Sequence, residues 1–228
     1  MRIKLIAPII LACAAIASAQ QPWPQERQDQ REKVVLNEDG GQAFLIQPAA
    51  GPLTGLVKPG QTNVSDFSQY SIFLGPGWAD TALRAREIRL SKLLSTIRDH
   101  AQMDEVTDAG ISNRFGPTFS LEKLDVAGDR TISDLQIQDL LTDLFNGGQL
   151  GEPQSDAVYF VFLDPSLHST LRTLTASKHY LAYHSFFSVS GARIHYAVVP
   201  YQSDSQAAYQ NALRTLIVSA LHTDVTSH

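Results

Sequence analysis

The chain has 228 residues, 43% of them hydrophobic, with a formal charge of -5 and a pI near 5.8. That length supports one medium domain with a real core plus a tail. The acidic balance, unbroken by any basic cluster, excludes a general nucleic-acid binder, which needs a cationic face to release counterions from phosphates.

The N-terminus has the pattern of a secretory signal over residues 1–19. Arg2 and Lys4 form a charged start, Leu5 to Ile16 a short apolar stretch, and Ala17-Ser18-Ala19 a small-residue cleavage site before Gln20. The apolar run falls short of the about 20 residues needed to span a bilayer, and no later segment is long and apolar enough. The expected location is therefore secreted or periplasmic. The only cysteine, Cys13, follows Ile10-Leu11-Ala12, a weak likeness to a lipoprotein-processing box. That offers an alternative, a chain lipid-anchored through Cys13. Cleavage after Ala19 instead leaves a chain without cysteine, hence without disulfides or thiolates.

Residues 20–65, rich in Gln, Pro, Gly and charge, read as a flexible tether with room for one short strand at Gln42–Ile46. A single domain is expected over 66–228. Tyr70–Leu74 reads as a buried strand ended by Gly75-Pro76-Gly77, with Trp78 as a core anchor. A helix is predicted over Thr81 to His100, with Leu83, Leu90, Leu94 and Ile97 in helical spacing. Residues 101–130 read as irregular, with turn signals at Gly110, Gly116-Pro117 and Gly128. A second helix is predicted over 134–146. Ser133 and Gln136 supply its capping box, and Gly147-Gly148 stop it.

Ala157–Leu163 is continuously apolar, as a strand covered on both faces should be. Tyr180–Phe187 and Arg193–Val199 form a hairpin around Ser190-Gly191. A last helix spans about 206–222, with Tyr209, Leu213, Leu216, Ile217 and Ala220 facing the core. The expected class is α+β, a mixed sheet with packed helices.

Several segments, taken in order, resemble the EXORDIUM-like, or phosphate-induced, family in its bacterial secreted branch. They are SIFLGPGW, ISDLQIQDLLTDLFNGGQL, DAVYFVFLDP, AYHS and HYAVVPY, within about residues 66–226. The family's next helix carries S-H-E-L-x-E-A-x-T-D-P, similar to the H-E-x-x-H/E helix of zinc hydrolases, so the resemblance implies a zincin-like arrangement. In that chemistry the His and the acid four residues on hold zinc, and the intervening Glu takes a proton from its water. Here SALHTDVTSH, residues 219–228, occupies the motif. Ser219 stands for the His, Ala220 for the base and Thr223 for the second acid. A three-residue shift restores the His at His222 but puts Thr223 in place of the base. The chain stops at His228, before the family's Gly- and acid-rich segment, and the cysteines of many bacterial relatives are absent.

His184 and His195 are the leading polar candidates. A two-residue turn pairs Val189 with Ala192, His184 with Ala197 and Phe186 with His195. Both histidines then lie on one sheet face as diagonal neighbours, roughly 7–8 Å apart at the backbone. A three-residue loop would separate them to opposite faces. They read either as ligands of a shared metal or as partly buried histidines with backbone partners. His222, Asp224 and His228 form an N/O cluster that suits a divalent ion or a frayed terminus. Ser219 and His222 share a helix stripe, but no sharp nucleophile turn accompanies them. Glu152, Asp156 and Asp164 read as turn residues.

The favoured expectation is a secreted scaffold without catalysis or cofactor, in a binding or structural role with an unknown extracellular or envelope partner. The alternative is a zinc-dependent, peptidase-like hydrolase with a site rebuilt from His184, His195, His222 and Asp224.

Overall fold

The most apolar run of the sequence lies at the centre of the molecule. The computed structural model describes residues 32–48, 66–95, 112–122 and 130–222. Its elements are β1 (Glu32–Leu36), β2 (Gln42–Ile46), β3 (Asp66–Leu74), a 3-10 turn (Pro76–Ala79), α1 (Thr81–Ser95), β4 (Ser112–Leu121), β5 (Thr131–Ser133) and α2 (Asp134–Asn146). They continue with β6 (Ala157–Leu163), β7 (His168–Leu171), β8 (Leu174–Thr175), β9 (Ala182–Val189), β10 (Ala192–Val199) and α3 (Ser205–His222). Seven strands form one sheet in the order β1-β2-β9-β10-β6-β3-β4, and β5-β7-β8 form a small second one. The class is α+β, with a mixed sheet and packed helices. The signal, Cys13, the rest of the tether and residues 96–100 lie outside the described residues, as do Asp224 and His228.

β6 pairs in parallel with β10 on one side and β3 on the other, and all seven of its residues are buried. Both faces must therefore be covered by other elements. Leu90 and Leu94 of α1, with Ala208, Tyr209, Ala212 and Leu213 of α3, cover the face presented by Phe73, Val158, Phe160 and Phe162. Ile137, Leu141, Leu144 and Phe145 of α2 cover the opposite face, presented by Ile72, Tyr159, Val161 and Tyr196. Full burial of each Leu, Ile, Val or Phe among them contributes roughly 1.5–3 kcal/mol.

The predicted capping box is present. Ser133 Oγ accepts from the Gln136 N–H at 3.2 Å, and the Gln136 side chain accepts from the Ser133 N–H at 2.8 Å. The β9–β10 hairpin has the expected register, with Val189 opposite Ala192 and His184 opposite Ala197. Its turn places Ser190 at φ 50° and Gly191 at φ 83°, the left-handed pair of a type I′ turn. Trp78 is buried as expected, its indole N–H donating to the Leu74 carbonyl at 3.2 Å.

Two expectations change. Residues 32–46, assigned to the tether, form a hairpin that continues the large sheet. β2 pairs antiparallel with β9, and Ala43 and Leu45 are buried. Asn37 Nδ2 donates to Ser185 Oγ at 3.2 Å, while the Leu135 N–H donates to Glu38 at 3.1 Å. The hairpin is thus fixed by a ladder and by side chains at its turn. Within 101–130, residues 112–121 form β4, parallel to β3. The Gly116-Pro117 turn signal is a bulge. Gln69 and Ser71 of β3 oppose Phe115 and Thr118, so β4 carries one extra residue. A Cβ at Gly116 would sit 2.7 Å from the Tyr70 ring, which is why glycine is required there.

Candidate functional site

Alternation along β9 and β10 decides which polar groups meet. His184 and His195 fall on the face under α1 and α3, and Tyr183 and Tyr196 fall on the face under α2. The histidines are 2% and 6% exposed. His184 stacks on Phe44, its cross-strand neighbour on β2, with ring centroids 4.5 Å apart and planes 6° from parallel. His195 lies 6.1 Å from the Phe186 ring. Burial, assisted by the nearby Arg193 charge, holds the His195 pKa down to about 4. At neutral pH that ring is an uncharged polar member of an apolar layer.

The other face holds a buried acid. Asp134, the first residue of α2, receives the Tyr183 hydroxyl at 2.8 Å and the Tyr196 hydroxyl at 2.5 Å on one oxygen. The Gln138 amide donates to the other oxygen at 2.9 Å and to the Tyr196 hydroxyl at 3.1 Å. Burial raises the Asp134 pKa, while the bonds from Tyr196, Tyr183 and Gln138 pull it back. Both tyrosines are pushed well above their ordinary value, first by burial and then by the neighbouring carboxylate. The network closes on itself between helix and sheet. Its chemistry is hydrogen-bond satisfaction, and the acid also complements the helix N-terminus.

The carboxyl ends of the parallel strands are where open α/β sheets usually place ligands. After β3 the chain turns through α1 to β4 on one side, and after α2 it returns as β6 on the other. At this switch the loop after β3 wraps Asp164, which follows β6. The Gly77 N–H donates to Asp164 Oδ2, and the Ser166 N–H and hydroxyl reach Oδ1 at 2.8 and 2.7 Å. A Cβ at Gly75, whose φ is 121°, would lie 2.5 Å from the Asp164 carboxyl carbon. Asp164 is thus a turn residue, as expected, and also the buried clasp of the switch point.

Beyond it, Arg84 bonds Glu87 at 2.9 Å and Glu122 at 2.5 Å. Arg86 is buried over the Tyr201 ring at 4.4 Å and donates to the carbonyls of Gln202, Ser203 and Asp204, fixing the entry to α3. Desolvation lowers its pKa first and foremost.

Of the four residues assigned to a rebuilt zinc site, the structure brings His184 and His195 together on one face. α3, which carries His222, covers that face, but the side chains of 216–222 lie outside the described residues. Among the described residues, no group of three or more His, Cys, Asp or Glu is arranged to hold a metal. Of the proposed zinc set, the described side chains are the imidazoles of His184 and His195, where a catalytic zinc takes three protein ligands. Sequence reasoning missed the Asp134 network. Strand alternation that puts both histidines on one face puts both tyrosines on the other, but no local pattern brings Asp134 to them.

No helix among the described residues is long and apolar enough to cross a membrane. No family model matches the chain, and no match was found among curated proteins or solved structures.

Proposed function

We propose that this chain is an exported, non-catalytic domain with an EXORDIUM-like scaffold that acts by binding an extracellular or envelope ligand. One observation carries the reading. The two retained candidate histidines sit in the apolar layer between sheet and helices, one flat against Phe44 and the other held neutral by burial. The internal bonding of Asp164 and the Arg84–Glu87–Glu122 group supports it, because these groups at the strand ends are engaged with the protein itself. Export rests on the pattern of residues 1–19.

The test is elemental analysis of the purified protein after dialysis at neutral pH. The expected result is no stoichiometric zinc and no zinc-dependent peptide hydrolysis. One zinc per chain, lost in His184→Ala, would contradict the reading.

A second reading keeps the zinc hydrolase, with His184, His195, His222 and Asp224 as ligands. The observation in its favour is that the first two share the face that α3 covers. The same zinc measurement separates the two.

A further inference from the structure

The β1–β2 hairpin and the β8–β9 connection enclose a surface cleft of about 320 Å³. This is the size of the smaller organic-ligand sites, which run from roughly 300 to 1,000 Å³. Its accessible apolar floor is Leu174 and Pro48, backed by the buried Leu45, and its polar wall is Lys33, Gln47, Lys178 and His179. Lys33 stands directly opposite Leu45 across the β1–β2 ladder, so the two side chains share one sheet face. Lys178 comes from the other wall. Among the described residues neither lysine forms an ion pair with a carboxylate.

The wall carrying Lys178 and His179 is rigidly built. Tyr180 is fully buried, its hydroxyl 2.9 Å from Ser169 Oγ. The Leu181 N–H donates to the Ile46 carbonyl at 2.7 Å, which ties this turn to the end of β2. The Ser177 N–H donates to the Tyr180 carbonyl at 2.8 Å, and the His179 N–H to the Thr175 carbonyl at 3.0 Å. Ser177 adopts φ 64°, a left-handed conformation that a non-glycine residue holds only where its surroundings impose it, and such strain gathers at ligand sites.

The His179 ring is oriented too. The Thr175 N–H donates to its Nδ1 at 3.0 Å, and the Thr175 hydroxyl lies 3.2 Å from the same atom. A proton on Nδ1 would collide with that backbone N–H. The neutral ring therefore carries its proton on Nε2, as a donor.

We propose that this cleft binds a small organic anion, with its phosphate or carboxylate held by Lys33, Lys178 and the His179 Nε2–H and its apolar body resting on Leu174 and Pro48. Two ammonium groups on separate elements, an oriented N–H donor and an apolar floor are the complement of such a molecule, in a chain whose overall charge is -5. The site rests on the reading of the chain as a binding domain, but the two fail separately. Zinc content tests that reading, and anion titration tests this cleft.

The experiment is a titration of the full chain with phenyl phosphate, benzoate and inorganic phosphate, followed by amide NMR at Thr175, Lys178 and His179. Phenyl phosphate or benzoate should give saturable shifts at these amides, the tighter of the two naming the anionic group. Lys33→Ala and Lys178→Ala should each weaken binding about tenfold or more, since each removes a charge-assisted contact. Both lysines are exposed, so an unchanged spectrum elsewhere will show that the variants fold. Absence of saturation with both organic anions would overturn the proposal, as would affinity indifferent to both lysine changes. Inorganic phosphate binding as tightly as phenyl phosphate would also overturn it, by removing any part for the apolar floor.

Discussion

The two faces of the seven-stranded sheet solve the same problem with opposite chemistry. Under α2 the sheet buries an acid, and under α1 and α3 it buries bases. Asp134 keeps company with two tyrosine hydroxyls and an amide, so every bond it accepts comes from a neighbour packed around it. His184 and His195 are accommodated against aromatic rings. Burial drives both kinds of group toward their uncharged forms. A buried ionisable residue is thus no sign of catalysis by itself. What surrounds it, and whether a ligand can reach it, decide what it does.

Removing the acid should have the largest effect. Asp134→Ala would leave the hydroxyls of Tyr183 and Tyr196 and the Gln138 amide buried without their acceptor. A loss of roughly 3–5 kcal/mol is expected in urea unfolding. Asp134→Asn, which keeps an acceptor, should lose less.

The pH dependence sharpens the contrast, because the two faces act in opposite directions. The Asp134 pKa is raised on folding, so its contribution is full below the ordinary value of 3.8 and is lost as pH rises through the raised folded value. The His195 pKa is lowered, so its contribution is full above 6.5 and is lost as pH falls through about 4. Across that window the histidine is worth roughly 3 kcal/mol, at about 1.4 kcal/mol per pH unit. Relative to wild type, Asp134→Asn should make stability rise more steeply with pH. His195→Leu should tilt the same curve the other way. Urea titrations at pH 4, 5 and 6.5 will show whether the slopes separate.

Smaller effects follow. Ser133→Ala removes the cap of α2 beside Asp134 and should cost about 1 kcal/mol at pH 7. His195→Leu at pH 7 exchanges a neutral buried ring for an apolar side chain of similar size, and a change of about 1 kcal/mol or less is expected. If it instead destabilised the domain as much as Asp134→Ala, the comparison between the faces would collapse.

What could be read in advance depended on how local the signal was. The capping box of α2, the unbroken apolar run of β6 and the Ser-Gly turn of the β9–β10 hairpin are each specified within a few neighbouring residues, and each has its expected form. Because that turn sets the register, the shared face of His184 and His195 was also legible. β1 was not. Its EKVVL segment follows a long polar stretch, and its place depends on pairing with β2 and, through it, on β9, far along the chain. β4 was hidden by Gly116-Pro117, which marks a bulge on an outer strand rather than a turn. The short strands β5, β7 and β8 carry too few residues to show a period. The Asp134 network was hidden for another reason. An acid at the first position of a helix reads as ordinary capping chemistry, and only the tertiary fold brings Tyr183 and Tyr196 to it. Lys33, Lys178 and His179 likewise come from elements far apart in sequence.

The buried, neutral state of the histidines is tested most directly by an NMR titration of the His195 imidazole in the full chain, with and without one equivalent of zinc. The expected ring stays neutral until the pH approaches about 4 and does not respond to zinc. A midpoint near 6.5, or a zinc-dependent shift abolished by His184→Ala, would place the histidines in a working site and contradict that state.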